Sequence, residues 1–380
     1  MTEVASPERL LFASTTQSFL EKEAPLSRLR ELHAAGTAFE PDWWRRAAAL
    51  GWTSLLVPEE LGGGSVSGGV SGGVADLALV AELAGRTVAP GPLHPVSTVL
   101  AGLVEAPQNH EATIESLVSG EVVGSWAVYE PGKPWSPLDA AVTATRTDTG
   151  YRIDGVKDRV EAGAESAVLL VVAQCDGTVR QFLVPTDVPG VRIEAQRSVD
   201  LVKSYARVGF DGVDVDDSAA VGSAEQTPAL IARQAQIAQV LQCAEVVGIL
   251  DTVLAFTIQW GFDRHSFGRP IGSYQALKHK YADLKIAFEA CRATTNAAVT
   301  EVASRVPGAE MAVSVAKSYV GEHAPGMLQE CVQLHGGIGV TWEHDLHLFL
   351  RRVTLYRSMY GTPEDHNLHV YALTELESAS

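Results

Sequence analysis

The amino-acid sequence predicts an α+β fold that is mostly helical. We expect an N-terminal helical domain over residues 1–120, a central antiparallel β-barrel domain over 121–222 and a C-terminal four-helix bundle over 223–380. Apolar residues recur every three or four positions in the first and last regions, which is the period of a helix. In the central region they alternate with polar residues, as in strands. No alternation of strand and helix occurs along the chain, so a doubly wound dinucleotide-binding sheet is not expected.

Helical spacing is clearest at two places in the N-terminal region. It appears in ERLLFASTTQSFLEKEA and again in EPDWWRRAAALGW, where we expect the helix to end near Gly51. The small repeat SGGVSGGV, from Ser67 to Val74, predicts a flexible loop because of its glycines. Helical spacing resumes after this repeat, in ADLALVAELAGRT.

The central region is a series of short β-rich runs, among them VVGSWAVYE, AVLLVVAQC and ARVGFDGVDV. Turn residues such as TDTG and CDGT separate them. Several strands at this close spacing are typical of a compact antiparallel barrel or sandwich.

The C-terminal region opens with one helix of about 30 residues, judged from apolar spacing after Thr227. Further helices are predicted to begin near Ser273, Gly308 and Pro325. Long helices with short connections predict a four-helix bundle.

Charge and cysteine usage exclude several classes of function. The chain has 29 Lys and Arg against 46 Asp and Glu, a formal net charge of −17, so nucleic acid is not an expected partner. Four widely spaced cysteines without a CxxC pair predict reduced thiols in a cytoplasmic protein. His335, His344 and His347 lack the spacing of a zinc site, and no metal is expected. Without a signal pattern or a run of 18 apolar residues, we expect no membrane span.

A break between two predicted helices holds the sequence FDRHSFGRPIG. Arg264 lies three residues before Phe267 and can project from a tight corner. A guanidinium group there is suited to a phosphate or pyrophosphate, which it binds through two parallel hydrogen bonds. An arginine that only caps the preceding helix is the alternative, and the residues leave both open.

Three separated motifs together resemble the acyl-CoA dehydrogenase family. They are WWRRAAALGWTSLLVPEELGG, DRHSFGRPIGSYQALKH and ECVQLHGGIG. The resemblance covers essentially the whole chain, in the family's order of helical, β and helical regions. It is closest to bacterial members that act on fatty-acid or sterol side-chain thioesters.

The resemblance implies FAD held between subunits, an acyl-CoA substrate, and an electron-transfer flavoprotein as electron acceptor. It places eight residues at the pyrophosphate and adenosine half of FAD: Arg264, Ser266, Phe267, Gln333, Leu334, His335, Gly336 and Gly337. The two glycines lack a Cβ, so their backbone can approach a phosphate. By the same resemblance, Thr362 and Glu364 neighbour the cofactor at a second corner.

The positions of the usual catalytic base do not carry a carboxylate. In the family a glutamate directly before the glycine of the second corner removes the α-proton, while the flavin takes the β-hydride. That position is Tyr360 here, and a phenol with a pKa of about 10 is a poor base at neutral pH. The family's other position, on the first long bundle helix, corresponds to Ala238.

Glu245 is the predicted catalytic base. It lies seven residues beyond Ala238, two turns along about the same helix face, in an apolar stretch where a carboxylate is costly without a role. Burial raises the pKa of a carboxyl group toward the range of a base. A carboxylate paired with an arginine such as Arg233 or Arg292 is the alternative. Glu364 and Asp365 are further candidates, with a solvated turn or helix cap as their alternative.

The flavin-ring positions of the β region also depart from the family. Arg159 and Glu161 occupy the positions of an aromatic residue and a threonine that contact the ring. Trp135 can supply a substitute aromatic face, or it can pack over the edge of the domain. The ring-binding half is therefore weakened, whereas the adenosine-binding half is complete.

Two functions follow from this pattern. The first is an active FAD-dependent acyl-CoA dehydrogenase, a homotetramer with Glu245 as base, that desaturates an acyl-CoA thioester, including a bulky or sterol side-chain acyl group. The second is a catalytically incomplete partner subunit of an α2β2 dehydrogenase, which contributes only the nucleotide-binding half-site. A relative that performs another flavin reaction is a third possibility, which no feature of the sequence favours.

Overall fold

The computed structural model of the protein describes residues 6–379, apart from the side chains of 69–71 and 377–379. Over these residues the chain forms eleven α-helices and ten strands. The helices are α1 (Pro7–Glu23), α2 (Leu26–Ala35), α3 (Pro41–Ala49), α4 (Gly69–Arg86), α5 (Leu93–Leu103), α6 (Glu111–Val118), α7 (Thr227–Asp263), α8 (Gln275–Ser304), α9 (Ala309–His335), α10 (Leu346–Ser358) and α11 (Pro363–Ala379). The strands are β1 (Gly124–Ala127), β2 (Thr143–Arg146), β3 (Gly150–Glu161), β4 (Val168–Cys175), β5 (Thr178–Pro185), β6 (Val191–Gln196), β7 (Tyr205–Asp216), β8 (Ala220–Val221), β9 (His265–Ser266) and β10 (Arg269–Pro270).

The predicted class, an α+β fold that is mostly helical, is confirmed. The described residues divide into two compact units. The first comprises residues up to Phe12, Glu31–Leu77 and Pro90–Ala238; the second comprises Ala13–Arg30, Ala78–Ala89 and the chain from Gln239 onward. The three-domain division at 120 and 222 stays a prediction, although the main sheet does lie between Gly124 and Val221.

The first unit contains an eight-stranded sheet in the order β6-β7-β3-β2-β4-β5-β8, with β1 paired to β4. Apolar residues from alternate positions of its strands form one cluster, which includes Ile153, Leu169, Phe182 and Val208, none of them exposed. The prediction of a purely antiparallel domain is wrong in part, because β1 and β2 both run parallel to β4. Alternation of apolar residues reports a half-buried strand, but it carries no information on the direction of its neighbour.

The second unit is built around the part of α7 from Gln239 onward and around α8, α9, α10 and α11, with α9 packed against α8, α10 and α11. Two glycines allow α4 and α7 to approach closely. A Cβ on Gly85 would lie 2.0 Å from the carbonyl oxygen of Glu245, and one on Gly248 would lie 1.8 Å from that of Glu82. The backbone of the long helix α7 therefore rests directly on α4.

Two local predictions are wrong. The repeat SGGVSGGV is not a loop, because α4 begins at Gly69 and includes the second half of the repeat. Its glycine at 73 allows close packing, since a Cβ there would lie 1.9 Å from the carbonyl oxygen of Leu55. Pro325 does not begin a helix but lies inside α9. Its missing N–H costs one helical hydrogen bond, and the surrounding packing keeps the helix continuous.

One helix in the described part of the chain, α7, is long and apolar enough to cross a membrane by length and composition. Because 72% of its apolar segment is buried inside the fold, it is a core helix, and no membrane span is indicated.

Candidate functional site

Arg264 begins a small hairpin at the end of α7. Strands β9 and β10 pair antiparallel, and Phe267 and Gly268 form the turn with φ of 52° and 79°. Left-handed values at both central residues are those of a type I′ turn, which suits the twist of paired strands. Phe267 is 95% exposed at the tip. The Arg264 side chain is exposed and pairs with no carboxylate of residues 6–379, so it is available to an anionic ligand.

The glycine corner follows directly on α9. Gly336 has φ 67° and ψ −144°, a conformation that only glycine adopts easily, and a Cβ on Gly336 or Gly337 would meet nothing within 4 Å. Gln333 is exposed, whereas Leu334 and His335 are 7% and 5% exposed. The open part of the corner is therefore Gln333 and the glycine backbone. The side chains of Leu334 and His335, predicted to approach the cofactor, are buried, and His335 lines a cavity together with Trp260 and His344.

A ring contact holds the two corners side by side. Trp260, one turn before Arg264, stacks on His335 with ring centroids 5.4 Å apart. His335 Nδ1 lies 2.8 Å from the carbonyl oxygen of Cys331. Burial lowers the pKa of His335, so the ring is neutral at pH 7. The structure thus brings the arginine hairpin and the glycine corner together at one end of the bundle.

The second corner, around Tyr360, is buried and rigid. Tyr360 is 4% exposed, with φ 56°. Its carbonyl oxygen accepts hydrogen bonds from Gln239 Nε2 at 3.0 Å and from His366 Nε2 at 2.9 Å. A side chain on Gly361, where φ is 95°, would collide with the His366 ring. Backbone in the left-handed region persists only where its surroundings fix it, as they do here.

The residues after this corner cap α11. Thr362 donates from its N–H and its Oγ1 to Asp365, at 2.9 Å in both cases, and accepts from the Asp365 N–H at 3.2 Å. This is a reciprocal helix cap. Glu364 pairs with Arg357 at 2.6 Å, and the hydrogen bond from its own N–H lowers its pKa first, followed by that from Arg357. Asp365 and Glu364 therefore act in a helix cap and in an exposed ion pair, and neither carboxylate is free to act as a base.

Glu245 is engaged at both oxygens. It forms an ion pair with Arg352, and the Tyr356 hydroxyl donates to its Oε2 at 2.8 Å. Glu245 is 2% exposed and the Arg352 side chain is fully buried. Arg352 also reaches the carbonyl oxygens of Val88 and Ala89, so the pair ties α7, α10 and the chain after α4 together. A base needs an oxygen that faces the substrate. The geometry favours the paired carboxylate over the predicted base, with Arg352 as a partner that the sequence did not suggest.

The ring positions of the β region are also engaged in contacts inside the first unit. The Arg159 guanidinium lies 4.3 Å from the centre of the Tyr129 ring. Glu161 pairs with Lys203 at 2.9 Å, with both side chains 4% exposed. Trp135 packs edge-on or tilted against its neighbours, 5.1 Å from Tyr129. Because Arg159 and Glu161 are held by other residues of this chain, they do not replace the family's contacts with the flavin ring. Trp135 packs on its own domain.

Two family models match separate parts of the chain. The N-terminal domain model of acyl-CoA dehydrogenases matches residues 6–108, and the C-terminal domain model matches residues 229–372. The chain belongs to the acyl-CoA dehydrogenase family. It is 27% identical to acyl-CoA dehydrogenase IpdE2 of Mycolicibacterium smegmatis, over 95% of this chain and 96% of the relative. It is 29% identical to FadE34 of Mycobacterium tuberculosis, over 93% of this chain and 45% of the relative.

Two solved structures show the same fold over nearly the full length of this dehydrogenase. Butyryl-CoA dehydrogenase from Megasphaera elsdenii has a TM-score of 0.89 at 20% identity, covering 98% of this chain and 100% of that one. The Tcur3481-Tcur3483 steroid ACAD variant has a TM-score of 0.88 at 25% identity, covering 98% and 99%.

FAD is the cofactor of this family, and the residues fit its two halves unequally. The nucleotide half fits: an unpaired Arg264, an exposed Phe267 and an open glycine backbone are suited to a pyrophosphate and an adenosine. The ring half does not fit in the usual way, because Arg159 and Glu161 are held by Tyr129 and by Lys203. The open groups among these residues thus suit the nucleotide end of FAD rather than its ring.

Sequence reasoning missed three buried polar residues that shape the second corner and its supports: Arg352, Lys317 and His366. Each lies among apolar residues of a predicted helix, which is the only signal that the sequence offers. A polar side chain on the apolar face of a helix must have a buried partner. The partner itself depends on which helices pack together. Among residues 6–379, no group of three His, Cys, Asp or Glu is arranged to hold a metal ion.

Proposed function

We propose that this chain is the partner subunit of an α2β2 acyl-CoA dehydrogenase, in which it contributes the nucleotide-binding half-site and another chain contributes the catalytic base. One observation carries the proposal. Glu245, the remaining candidate for the base, has both oxygens taken by Arg352 and Tyr356. The two family positions hold Tyr360, which is buried, and Ala238, which has no titratable group.

The assembled enzyme converts an acyl-CoA to its α,β-unsaturated thioester. FAD, when bound, supplies the group that accepts the β-hydrogen of the acyl chain as a hydride. In this chain Arg264 and the backbone of Gly336 and Gly337 would bind and orient the pyrophosphate and neutralise its negative charge. The chain would not supply the catalytic base. An electron-transfer flavoprotein is the expected electron acceptor.

A bulky acyl group, such as a sterol side chain, is the substrate class we propose. The support is the similarity to the Tcur3481-Tcur3483 steroid ACAD, which is 25% identical to this chain. The two components in the name of that protein also support a two-component assembly. The four free cysteines of this chain are all buried, as suits a protein of the reducing cytoplasm, the location we propose.

Expression of the chain alone and with a neighbouring dehydrogenase chain tests the proposal. We expect the chain alone to be colourless or unstable, and the co-expressed assembly to be yellow and to bleach with an acyl-CoA. A yellow homotetramer of the chain alone that is reduced by an acyl-CoA would establish the active single-chain enzyme instead.

A matched pair of hairpin variants tests the nucleotide half-site. Arg264→Gln removes the unpaired cation, and we expect FAD affinity to fall about tenfold or more, the effect of one charge-assisted pair. Arg269→Gln is the control, because Arg269 lies in the same hairpin but stacks 4.0 Å over its own Tyr274 ring. Equal FAD affinity in the two variants would remove Arg264 from the site.

Tyr360→Glu restores a carboxylate at the family position of the base. If the chain lacks only this group, the variant assembled with FAD should gain reduction of the flavin by acyl-CoA at this chain's half-site. The control is Tyr360→Gln, which has the same size without a base. The proposed partner role predicts no gain in the glutamate variant, because Arg159 and Glu161 at the ring positions are engaged within the chain. A gain would mean that this chain forms a complete site and would contradict the partner role.

A further inference from the structure

A cavity of about 430 Å³ lies in the second unit, beside the last turns of α7. The end of α9 and the start of α10 form its other walls, with Leu26 of α2 at one side. Five rings line this ring cavity: Phe256, Trp260, His335, His344 and Phe349. Cavities of this volume commonly bind small molecules in proteins. Its walls suit the apolar body of an organic ligand.

The rings contact one another and form a continuous wall. The His335 ring stacks on Trp260, with 5.4 Å between centroids. It lies edge-on to Phe256 at 5.6 Å and to His344 at 4.7 Å. Burial lowers the pKa of both histidines, so their imidazoles are neutral at pH 7 and do not repel a cation. The faces of the Trp and Phe rings attract one.

His335 brings an unused hydrogen-bond acceptor to this cavity. Its side chain is 5% exposed, and its Nδ1 lies 2.8 Å from the carbonyl oxygen of Cys331, so Nδ1 carries the proton of the neutral ring. Nε2 then holds a lone pair, and within the described part of the chain no donor reaches it. Buried acceptors in proteins are nearly always paired, so a ligand N–H is the partner that this atom lacks.

Three carboxylates surround the same cavity. Asp345 pairs with Arg30 at 2.7 Å. Asp263 accepts from the neutral amide of Gln259 at 2.9 Å. Neither Asp263 nor Glu343 forms an ion pair with another described residue. Two negative charges are therefore left for a ligand to balance, and every one of these groups accepts hydrogen bonds rather than donating them.

We propose that the ring cavity binds an organic primary amine. The ammonium donates to Nε2 of His335, while the carboxylates of Asp263 and Glu343 balance its charge. The apolar body of the amine lies against Phe256 and Trp260. A neutral ligand leaves the carboxylates unbalanced, and an anion is repelled by them. This inference concerns a cavity apart from the proposed reaction and does not rest on the proposed function.

Calorimetric titration with phenethylamine at pH 7 tests the proposal. It uses the full chain, in the co-expressed assembly if the chain requires one. We expect saturable binding at one site per chain. Phenethyl alcohol, which has the same ring without the charge, should bind at least tenfold more weakly. The N-trimethyl derivative of phenethylamine keeps the charge but has no N–H, and it should also bind about tenfold more weakly.

Two variants place the binding in the ring cavity. Glu343→Gln removes an exposed charge and should weaken phenethylamine about threefold. His335→Phe keeps a ring beside Trp260 but removes the acceptor, and we expect a loss of about tenfold. Glu330→Gln, which removes a carboxylate of α9 paired with Lys280 outside the cavity, is the control and should match the wild type. If His335→Phe does not fold by circular dichroism, Glu343→Gln and the trimethyl derivative decide.

The proposal is overturned if phenethylamine and phenethyl alcohol bind equally, or if Glu343→Gln binds the amine like the wild type. Displacement of the amine by ADP would also overturn it, because the cavity would then belong to the nucleotide half-site. Titration with Nα-acetyl-lysine methylamide identifies the source of the amine. Tighter binding than that of phenethylamine indicates a lysine side chain of a protein partner, and weaker binding indicates a free amine.

Discussion

Replacing Glu245 with glutamine removes one charge from a buried pair and leaves the size of the side chain unchanged. The Arg352 side chain is fully buried, and its other contacts include the carbonyl oxygens of Ala89 at 3.5 Å and Val88 at 3.4 Å. These oxygens cannot neutralise a guanidinium. Breaking a buried pair by removing one partner typically costs about 3 to 5 kcal/mol, because the other charge is left uncompensated. We expect a loss of that size in Glu245→Gln.

A double-mutant cycle distinguishes a structural from a catalytic Glu245. In Glu245→Gln/Arg352→Met no buried charge is left alone, so we expect stability to return to within about 1 to 2 kcal/mol of the wild type. Urea unfolding followed by circular dichroism measures the stabilities. The double variant should also keep the flavin reduction of the assembled enzyme, whereas a true base would leave both variants inactive.

The control for this cycle is Glu330→Gln, which breaks a half-exposed pair with Lys280 in the same bundle. It should cost under about 1 kcal/mol because solvent replaces the lost partner. The reasoning is refuted if Glu245→Gln unfolds at the wild-type urea midpoint. It is also refuted if the double variant loses as much stability as the two single variants lose together.

Three further predictions concern the bundle. Burial first, and then the charge of a nearby lysine, lowers the pKa of His366 to about 4, so the unfolded chain binds a proton between pH 6.5 and 4 that the folded chain does not. Stability should fall by up to about 3 kcal/mol as pH drops through that window, and unfolding of His366→Gln should lack this acid limb. Gly248→Ala should lower the melting temperature strongly because its Cβ would lie 1.8 Å from a backbone oxygen of α4, whereas Gly326→Ala, with open space around its Cβ, should not. Thr362→Ala should cost about 1 kcal/mol in urea unfolding by removing the cap of α11, and Thr362→Ser should keep most of it.

The period of the apolar residues was enough to predict the order of helical and β regions, because each element buries one face. It could not predict the direction of β1 and β2 relative to β4, which depends on connections over long stretches of chain. The SGGVSGGV repeat shows another limit. Glycine is compatible both with a flexible loop and with close packing, and only the neighbouring backbone at Leu55 decides between them.

The residues of the candidate site also differ in how far the sequence could predict their surroundings. Arg264 and the glycines at 336 and 337 lie in short local motifs, so their open geometry follows from nearby sequence. The identity of the partner of Glu245 does not follow from nearby sequence. Arg352 lies 107 residues away on another helix, and the sequence could only say that a buried carboxylate needs some cation. Which arginine supplies it is fixed by the packing of α10 against α7.

The charged groups at the two ring positions, and the carboxylate of Glu245, each have a partner within the chain. Arg159 lies over Tyr129, Glu161 is paired with Lys203, and Glu245 is paired with Arg352. A buried Glu161 or Glu245 without its partner would cost several kcal/mol, so each carboxylate depends on the cation beside it. These contacts stabilise the chain while Arg264 and the glycine corner stay open to a ligand, as the proposed role of a partner subunit requires.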